Sequence, residues 1–434
     1  MNKKNIGIDI HNLCKKLWPL NRSITGNGTL ETLNILSQPF KNFKIYKVKS
    51  GTNVFNWTIP DEWNIKDAWI KNIYGKKVLD FKKNNLHVVG YSTPIKAKIE
   101  YKNLKNKIFS IPSQKNAIPY VTSYYKRNWG FCMSDNKKKK LKSSEKYEVF
   151  IDSKLKKGHL NYGELIIKGR TNKEIFLSSY ICHPSLANNE LSGPTILSFL
   201  AKWLTEKKNE YTYRLVFVPE TIGSIAYLSK NLNKLKKNVI AGYNLTCLGD
   251  ERTYSYLPSR SGNTISDKIA LHILKHIYPK YKKYSWNERG SDERQYCSPG
   301  VDLPIATIMR SKYGEYPEYH TSLDNLKDLV TPKGLSGGYE VLKLALEALE
   351  KNCYMIATNH CEPQLSKKNL IRSINGKKPM EKSVEIILAI LTWADGDHSL
   401  LDIAEKTNLP IWEFYSYLNI LKNEKLIKII RKNK

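Results

Sequence analysis

Apolar residues recur at helical spacing near the start of the chain, at Ile10, Leu13 and Leu17 and again over 30–36, which predicts two helices before Pro39. A strand-like run follows at 43–48. From about 53 to 145 the pattern breaks into short β-like runs, among them 86–89 and 97–101, punctuated by Pro, Gly and Asn. That suits a small β domain. From about 147 to 349, apolar runs of strand length alternate with stretches of helical period. The strands fall at 147–151, 163–167, 175–181, 213–218, 238–247 and 303–309, and the helices at 194–206, 224–235, 264–277 and 333–350. Such alternation predicts a layered α/β sheet. A polar stretch at 363–379 reads as a linker. Beyond it come three short helical patterns (384–391, 399–406, 410–421) and a β-like piece at 426–430. Asp397 or Ser399 suits the cap of the second helix and Pro410 the first turn of the third. The expected organisation is therefore an α/β domain over 1–52 and 146–362, an inserted β domain over 53–145, and a C-terminal domain over 380–434.

Charge changes this picture little. The chain carries 71 Lys+Arg against 40 Asp+Glu, a formal charge of 71 − 40 = +31. Phosphate neutralisation would use such an excess, but Lys is spread along the whole chain, its one dense run (136–140) reads as a solvated loop, and Arg is sparse. Compositional drift towards Lys, Asn, Ile and Tyr accounts for the excess better than a nucleic-acid footprint. The seven Cys are odd in number and form no CxxC pair, which fits reduced thiols and a cytoplasmic location. No apolar run reaches the roughly 18–20 residues of a membrane span, and the N-terminus lacks the apolar core of a secretion signal. The C-terminal pattern resembles a winged helix. Its third helix, IWEFYSYLNIL, has Glu413 and no Lys or Arg, where a base reader needs cationic and polar groups. A structural or dimerising role is expected there, with DNA an unexpected partner.

Four segments lie near predicted strand C-termini, where open α/β sheets place their sites. SSYICHPSLANNELSGP runs a strand into His183 and then, through a polar loop, into a helix. VFVPETIGS ends a strand at Glu220. NLTCLGD ends at Asp250. PEYHTSLDNL carries His320, with Asp324 four residues on. Imidazoles and carboxylates bind Zn²⁺, an open position holds water, and an unbound Glu takes its proton. Asp324 is spaced to orient a ligand from behind. Singly each signal is weak; the ordered set of four in one α/β unit is not.

The order His183, Ala187-Asn188-Asn189-Glu190-Leu191-Ser192-Gly193, Glu220-Thr221-Ile222-Gly223-Ser224 and His320-Thr321 resembles the co-catalytic zinc aminopeptidases, a superfamily that includes glutaminyl cyclases and the transferrin-receptor ectodomain. LWPLNRSITGNG, WTIPDEWNI, ICHPSLANNELSGP, VPETIGSIAYL and RGSDERQYCSPGVDLP carry a closer likeness. It is to bacterial aminopeptidase-like proteins associated with polysaccharide biosynthesis, and it spans nearly the whole chain. These combine a zinc-peptidase-like α/β/α domain with a mixed sheet, an inserted β domain and a C-terminal winged helix. The resemblance implies that His183 and His320 are zinc ligands, Glu220 the general base, and Asp292 a site-lining acid. The bridging Asp of the peptidases is Asn189 here, the ligand Glu after the base is Thr221, and the next strand's ligand Asp is Thr246, with Cys247 and Asp250 nearby. A neutral amide cannot bridge two Zn²⁺. One zinc is therefore expected rather than two. Glu190 is the carboxylate that would complete a set with His183 and His320, and loss of metal is the alternative.

The remaining polar candidates are Arg22, Arg260, Arg289, Arg294 and the run Tyr313-Gly314-Glu315-Tyr316. Arg289 and Arg294, flanking Asp292, stand out as a clamp for an acidic substrate. The expected lining is thus Asn189, Thr221, Asp250, Asp292, Arg289, Arg294 and Asp324. The expected function is zinc-dependent hydrolysis of an amide, in a small peptide or an amide-bearing sugar, and the sequence leaves room for a homo-oligomer. The alternatives are a degenerate peptidase fold that binds without catalysing, and a nucleic-acid-binding regulator.

Overall fold

The alternating strands from 163 onwards do form one sheet, larger than the pattern announces, whereas the strand expected at 147–151 joins the sheet of the insert. The computed structural model describes residues 6–368, 370 and 381–430. In it the sheet has eight strands, in spatial order Lys44–Lys49, His159–Ile167, Thr212–Val218, Glu174–Tyr180, Val239–Asn244, Ile305–Met309, Ser255–Leu257 and Lys282–Lys283. The central four run parallel, and the strands outside them bring the antiparallel pairings that make the sheet mixed. Every residue of Glu174–Tyr180 and Thr212–Val218 is buried, as expected of parallel strands covered on both faces. Arg214 sits within this core, yet its guanidinium is satisfied: it donates to both oxygens of Glu174 (2.5 and 2.8 Å), to Glu164 (2.6 Å) and to Tyr227 (3.1 Å). A buried charge persists only with such partners.

Helices Ile6–Leu17, Asn27–Ser37, Ser192–Thr205, Ile222–Asn238, Ile265–Ile277 and Pro332–Lys351 lie close to their predicted spans. The strand expected at 238–247 ends at Asn244, because the chain turns there and Cys247 takes φ +52°. The β-like run at 86–89 is instead a short turn, Asn85–His87, capped by the Asn84 side chain.

The inserted segment forms its own antiparallel sheet in the order Lys77–Asp80, Glu62–Lys71, Lys146–Lys156, Ile95–Glu100. Tyr147, Val149 and Ile151 alternate inward from Lys146–Lys156 onto Ala68, Ile70, Leu79 and Phe131. The sequence boundary at 145 thus falls one strand short, since this strand pairs with Glu62–Lys71 and carries the insert's sheet to Lys156.

The chain separates into two compact units. One holds the chain through Asp267 together with Tyr281–Glu340; the other holds Lys268–Lys280 and the chain from Val341. In the second unit, helices Lys382–Thr392, Leu400–Thr407 and Tyr415–Asn423 accompany a three-stranded antiparallel sheet, Asp395–Ser399, Tyr354–Ala357, Ile427–Ile430. Ser399 and Asp402 form a reciprocal capping box, as expected of Ser399. The helix expected at 410–421 is broken into a turn, Ile411–Glu413, and the helix Tyr415–Asn423. From residue 371 onwards the expected linker lies outside the described residues, as do 369 and 431–434.

Candidate functional site

Strands Glu174–Tyr180 and Thr212–Val218 are parallel neighbours with Tyr180 opposite Val218. The residues that follow them therefore emerge side by side: the His183 Nε2 atom lies 3.5 Å from Glu220 Oε2. His320 comes from a loop far along the chain, and its ring centre is 5.5 Å from that of His183. The insert fixes this loop. Tyr120 N–H donates to the His320 carbonyl (2.8 Å), Ser322 N–H donates to the Ile118 carbonyl (2.9 Å), and the Tyr120 ring packs edge-on to both imidazoles. His183, Glu220 and His320 thus share the floor of a cavity of about 390 Å³, whose walls include Ile24, Trp57, Tyr120, Tyr124, Tyr125 and Arg294.

The backbone here is strained. Glu220 leads into a γ-turn in which Ile222 N–H donates to the Glu220 carbonyl at 2.8 Å, with Thr221 at φ +63°, ψ −75°. Non-glycine residues rarely adopt this conformation, and Ser185, Cys247 and His320 also have positive φ. Such residues persist where the surroundings over-determine them, and they cluster at functional sites. At Thr221 the surroundings are visible: its N–H donates to Asp292 Oδ1 (2.7 Å), which also accepts from Ser224 Oγ (2.9 Å).

Each imidazole is set for a different part. Nδ1 of His183 meets Glu190 Oε2 at 2.7 Å, which leaves Nε2 towards the cavity. Burial would lower the His183 imidazole, but Cys182 and Glu190, both against Nδ1, hold it well above its ordinary value. Burial also pushes the Cys182 thiol up to about 11, so at neutral pH it keeps its proton. His320 is pushed the other way, to about 3, by burial and by the neighbouring His183. It is a neutral ring with no side-chain hydrogen bond among the described residues. Burial raises Glu220, whose Oε1 accepts from Ser291 Oγ at 2.9 Å. Burial and the Glu220 charge raise Asp292 in turn.

Several expectations change. Glu190 does not face the cavity. Its carboxylate is committed to His183 Nδ1 and lies 3.9 Å from the buried Arg22 guanidinium, which itself donates to the His183 carbonyl. Glu190 is thus placed as a partner of the His183 ring, and one donor atom each of Cys182, His183 and Glu190 lie within 4.8 Å of one another. Asp324 does not touch His320; burial pushes it up to about 6, and it accepts the N–H groups of Ala187, Asn188 and Asn189 and the Tyr316 hydroxyl. It thereby caps the buried π-type turn Ala187–Leu191 that carries Glu190. Asp250 ties the same turn to Ser311 through Asn188 Nδ2, and does not line the cavity. Arg289 stacks on Trp286, away from the cavity, whereas Arg294 lines it and reaches Thr221 Oγ1.

Asn189 Nδ2 donates to the Tyr180 hydroxyl (2.8 Å), which lies 2.5 Å from Thr246 Oγ1. Two of the positions that the resemblance matched to peptidase carboxylates are thus neutral and bonded into one network through Tyr180. This chemistry leaves no charged bridge for a second ion. The residues facing the cavity offer two imidazole donors for one zinc, with the Glu220 carboxylate 3.5 Å from His183 Nε2 beside them. Sequence reading missed Ser291 as the partner of Glu220 and the aromatic wall of the insert. The dense Tyr run at 120–125 was the available signal.

Sheet, site and insert together define an aminopeptidase-like α/β protein with a C-terminal winged helix. A family described as a domain of unknown function (DUF4910) matches residues 11–352, and a winged helix-turn-helix family matches 352–429. The chain belongs to the DUF4910 family. It is 42% identical over 430 residues to a Clostridium acetobutylicum protein described as a candidate polysaccharide biosynthesis protein with an aminopeptidase-like domain, covering 99% of this chain and 98% of that one. A crystal structure of a candidate peptidase from the same organism superposes with a TM-score of 0.92 at 41% identity, over 99% of this chain and 98% of that chain. A zinc aminopeptidase from Bacillus subtilis shares the fold, with a TM-score of 0.59 at 12% identity over 80% of this chain and 94% of that chain.

Proposed function

We propose that this protein hydrolyses an amide bond at the cavity floor, in a peptide or an acylated sugar, in the service of polysaccharide assembly. The observation that supports this most is the convergence of His183, Glu220 and His320 in one cavity beside a strained backbone. His183 Nε2 and His320 would hold a single zinc ion. Zinc at that place supplies a Lewis acid for the scissile carbonyl and lowers the pKa of water. Glu190 and Arg22 fix the His183 ring; Ser291 holds one oxygen of Glu220 and leaves the other free to take a proton. Glu220 removes that proton from the attacking water as a C–O bond forms to the acyl carbon. It returns the proton to the departing amine as the C–N bond breaks.

The test separates base from ligand. Glu220→Gln is expected to lower amide hydrolysis at least about 100-fold while elemental analysis still finds one zinc per chain. Unchanged hydrolysis, or purified protein that takes up no zinc, would sink the proposal. The neutral Asn189–Tyr180–Thr246 network favours a second reading, a fold kept for binding alone, and unaltered protein that takes up no zinc and cleaves no amide would select it. The C-terminal unit is assigned a structural role, because its helix Tyr415–Asn423 carries Lys422 as its sole cation.

A further inference from the structure

The cavity's charge pattern says what kind of amide it takes. A substrate with a free amino terminus brings an ammonium group that needs a carboxylate of its own. Among the described residues lining the cavity, Glu220 is the only carboxylate; Ser291 Oγ holds one of its oxygens at 2.9 Å, and the other faces His183 Nε2 at 3.5 Å, where the proposed reaction needs it as base. The other full charge in the lining is positive. Arg294 is exposed, its Nε donates to the Ser291 carbonyl (3.2 Å) and its Nη2 to Thr221 Oγ1 (3.3 Å), and it forms no ion pair among the described residues. A guanidinium so held, with donors to spare, is a ready partner for a carboxylate or phosphate and repels an ammonium.

The opposite requirement is written in the insert. Trp57 and Tyr125, 36% and 56% exposed, meet edge to face at 5.9 Å and line the cavity with Tyr120 and Tyr124. Aromatic faces left open to solvent in the wall of a cavity suit the apolar face of a ring substrate, while the tyrosine hydroxyls supply polar contacts.

From these features we infer that the substrate is an N-acylated amino sugar bearing an anionic group, anchored by Arg294 and stacked on the insert's aromatic wall, rather than a peptide with a free amino terminus. This rests on the amide-hydrolase reading. Water's oxygen bonds to the acyl carbon, the C–N bond breaks, and the products are a free carboxylic acid and the anionic amino sugar, whose amine receives the proton held by Glu220.

The test uses the full-length protein and a matched pair of probes, N-acetylmuramic acid and N-acetylglucosamine, which share ring and acetamide and differ by a carboxylate-bearing ether. Ligand-observed NMR titration is expected to give the anionic sugar about tenfold tighter binding. Arg294→Gln should erase that preference without weakening the neutral sugar, and Arg294→Lys should restore part of it. Equal binding of the two sugars, or no effect of Arg294→Gln, overturns the inference. So does faster cleavage of leucine p-nitroanilide than release of acetate from the anionic sugar, an outcome that leaves amide hydrolysis standing. Arg294-dependent binding with no hydrolysis of either amide would instead remove the hydrolase reading and keep the anion site.

Discussion

Thr221 shows at single-residue scale how the site is held. The γ-turn it centres costs on the order of 1–3 kcal/mol for a residue with a Cβ, and it aims Glu220 at His183 from the end of a buried strand. Glycine adopts positive φ freely, at an entropic cost of roughly 0.5–1 kcal/mol. Thr221→Gly is therefore expected to raise stability by about 1 kcal/mol in urea unfolding while lowering turnover, because Glu220 would no longer be confined to one direction. A loss of stability would show that the turn is not strained. His183 and Glu220 were legible in the sequence because strand ends in an α/β sheet are where side chains can converge. The part played by Glu190 was not. Its offset from His183 places it near the ring, but only the folded chain shows that it meets Nδ1 with Arg22 behind it.

At the scale of elements, the second unit offers a parallel case in which histidine is a bolt. His272, on Ile265–Ile277, is 1% exposed; its Nδ1 bonds the Glu405 carboxylate and its Nε2 accepts Ile411 N–H at 2.9 Å. That pairing fixes the neutral tautomer with the proton on Nδ1. It also argues against a metal shared with His276 and Glu405, since an ion on Nδ1 would move the proton to Nε2, against a donor. Burial lowers the His272 pKa below its ordinary value of about 6.5. Glu405, which burial alone would raise, is held below its ordinary value by His272 and Lys275, and burial and His272 lower His276. The unfolded chain therefore binds more protons than the folded one. The stability these groups supply is complete above about pH 6.5 and is lost as pH falls through the depressed folded values. Melting followed from pH 7.5 to 5 should show this decline, and His272→Gln should flatten it; an equal slope in the variant would count against the bolt. Long apolar strands such as Thr212–Val218 were readable from pattern, whereas Asp395–Ser399 was not. That strand is polar, contains Gly396 at φ +87°, and owes its form to pairing with Tyr354–Ala357.

Across the whole molecule the +31 charge has little to do with the site, which is built from His, Glu, Ser, Tyr and one arginine. The insert's share in the cavity was hidden from sequence because its loops have no periodicity, and its link to the His320 loop joins residues some 200 positions apart, as Ile118 and Ser322 do through backbone and Ser322 Oγ. All seven cysteines are free, and no helix among the described residues is long and apolar enough to cross a membrane. A site assembled this way, from two sheet strands, a distant loop and an inserted domain, exists only in the folded chain. Any ion it holds must then stabilise the fold by linkage, about 2.7 kcal/mol at a free concentration near 100 times the dissociation constant. Zinc is accordingly expected to raise the melting temperature by several degrees and chelation to reverse it. His183→Ala and His320→Ala should each abolish the shift, and Glu220→Gln should keep it. A melting curve indifferent to zinc in the unaltered protein, or a shift lost in Glu220→Gln, would mean that the two imidazoles do not hold the ion in the way proposed.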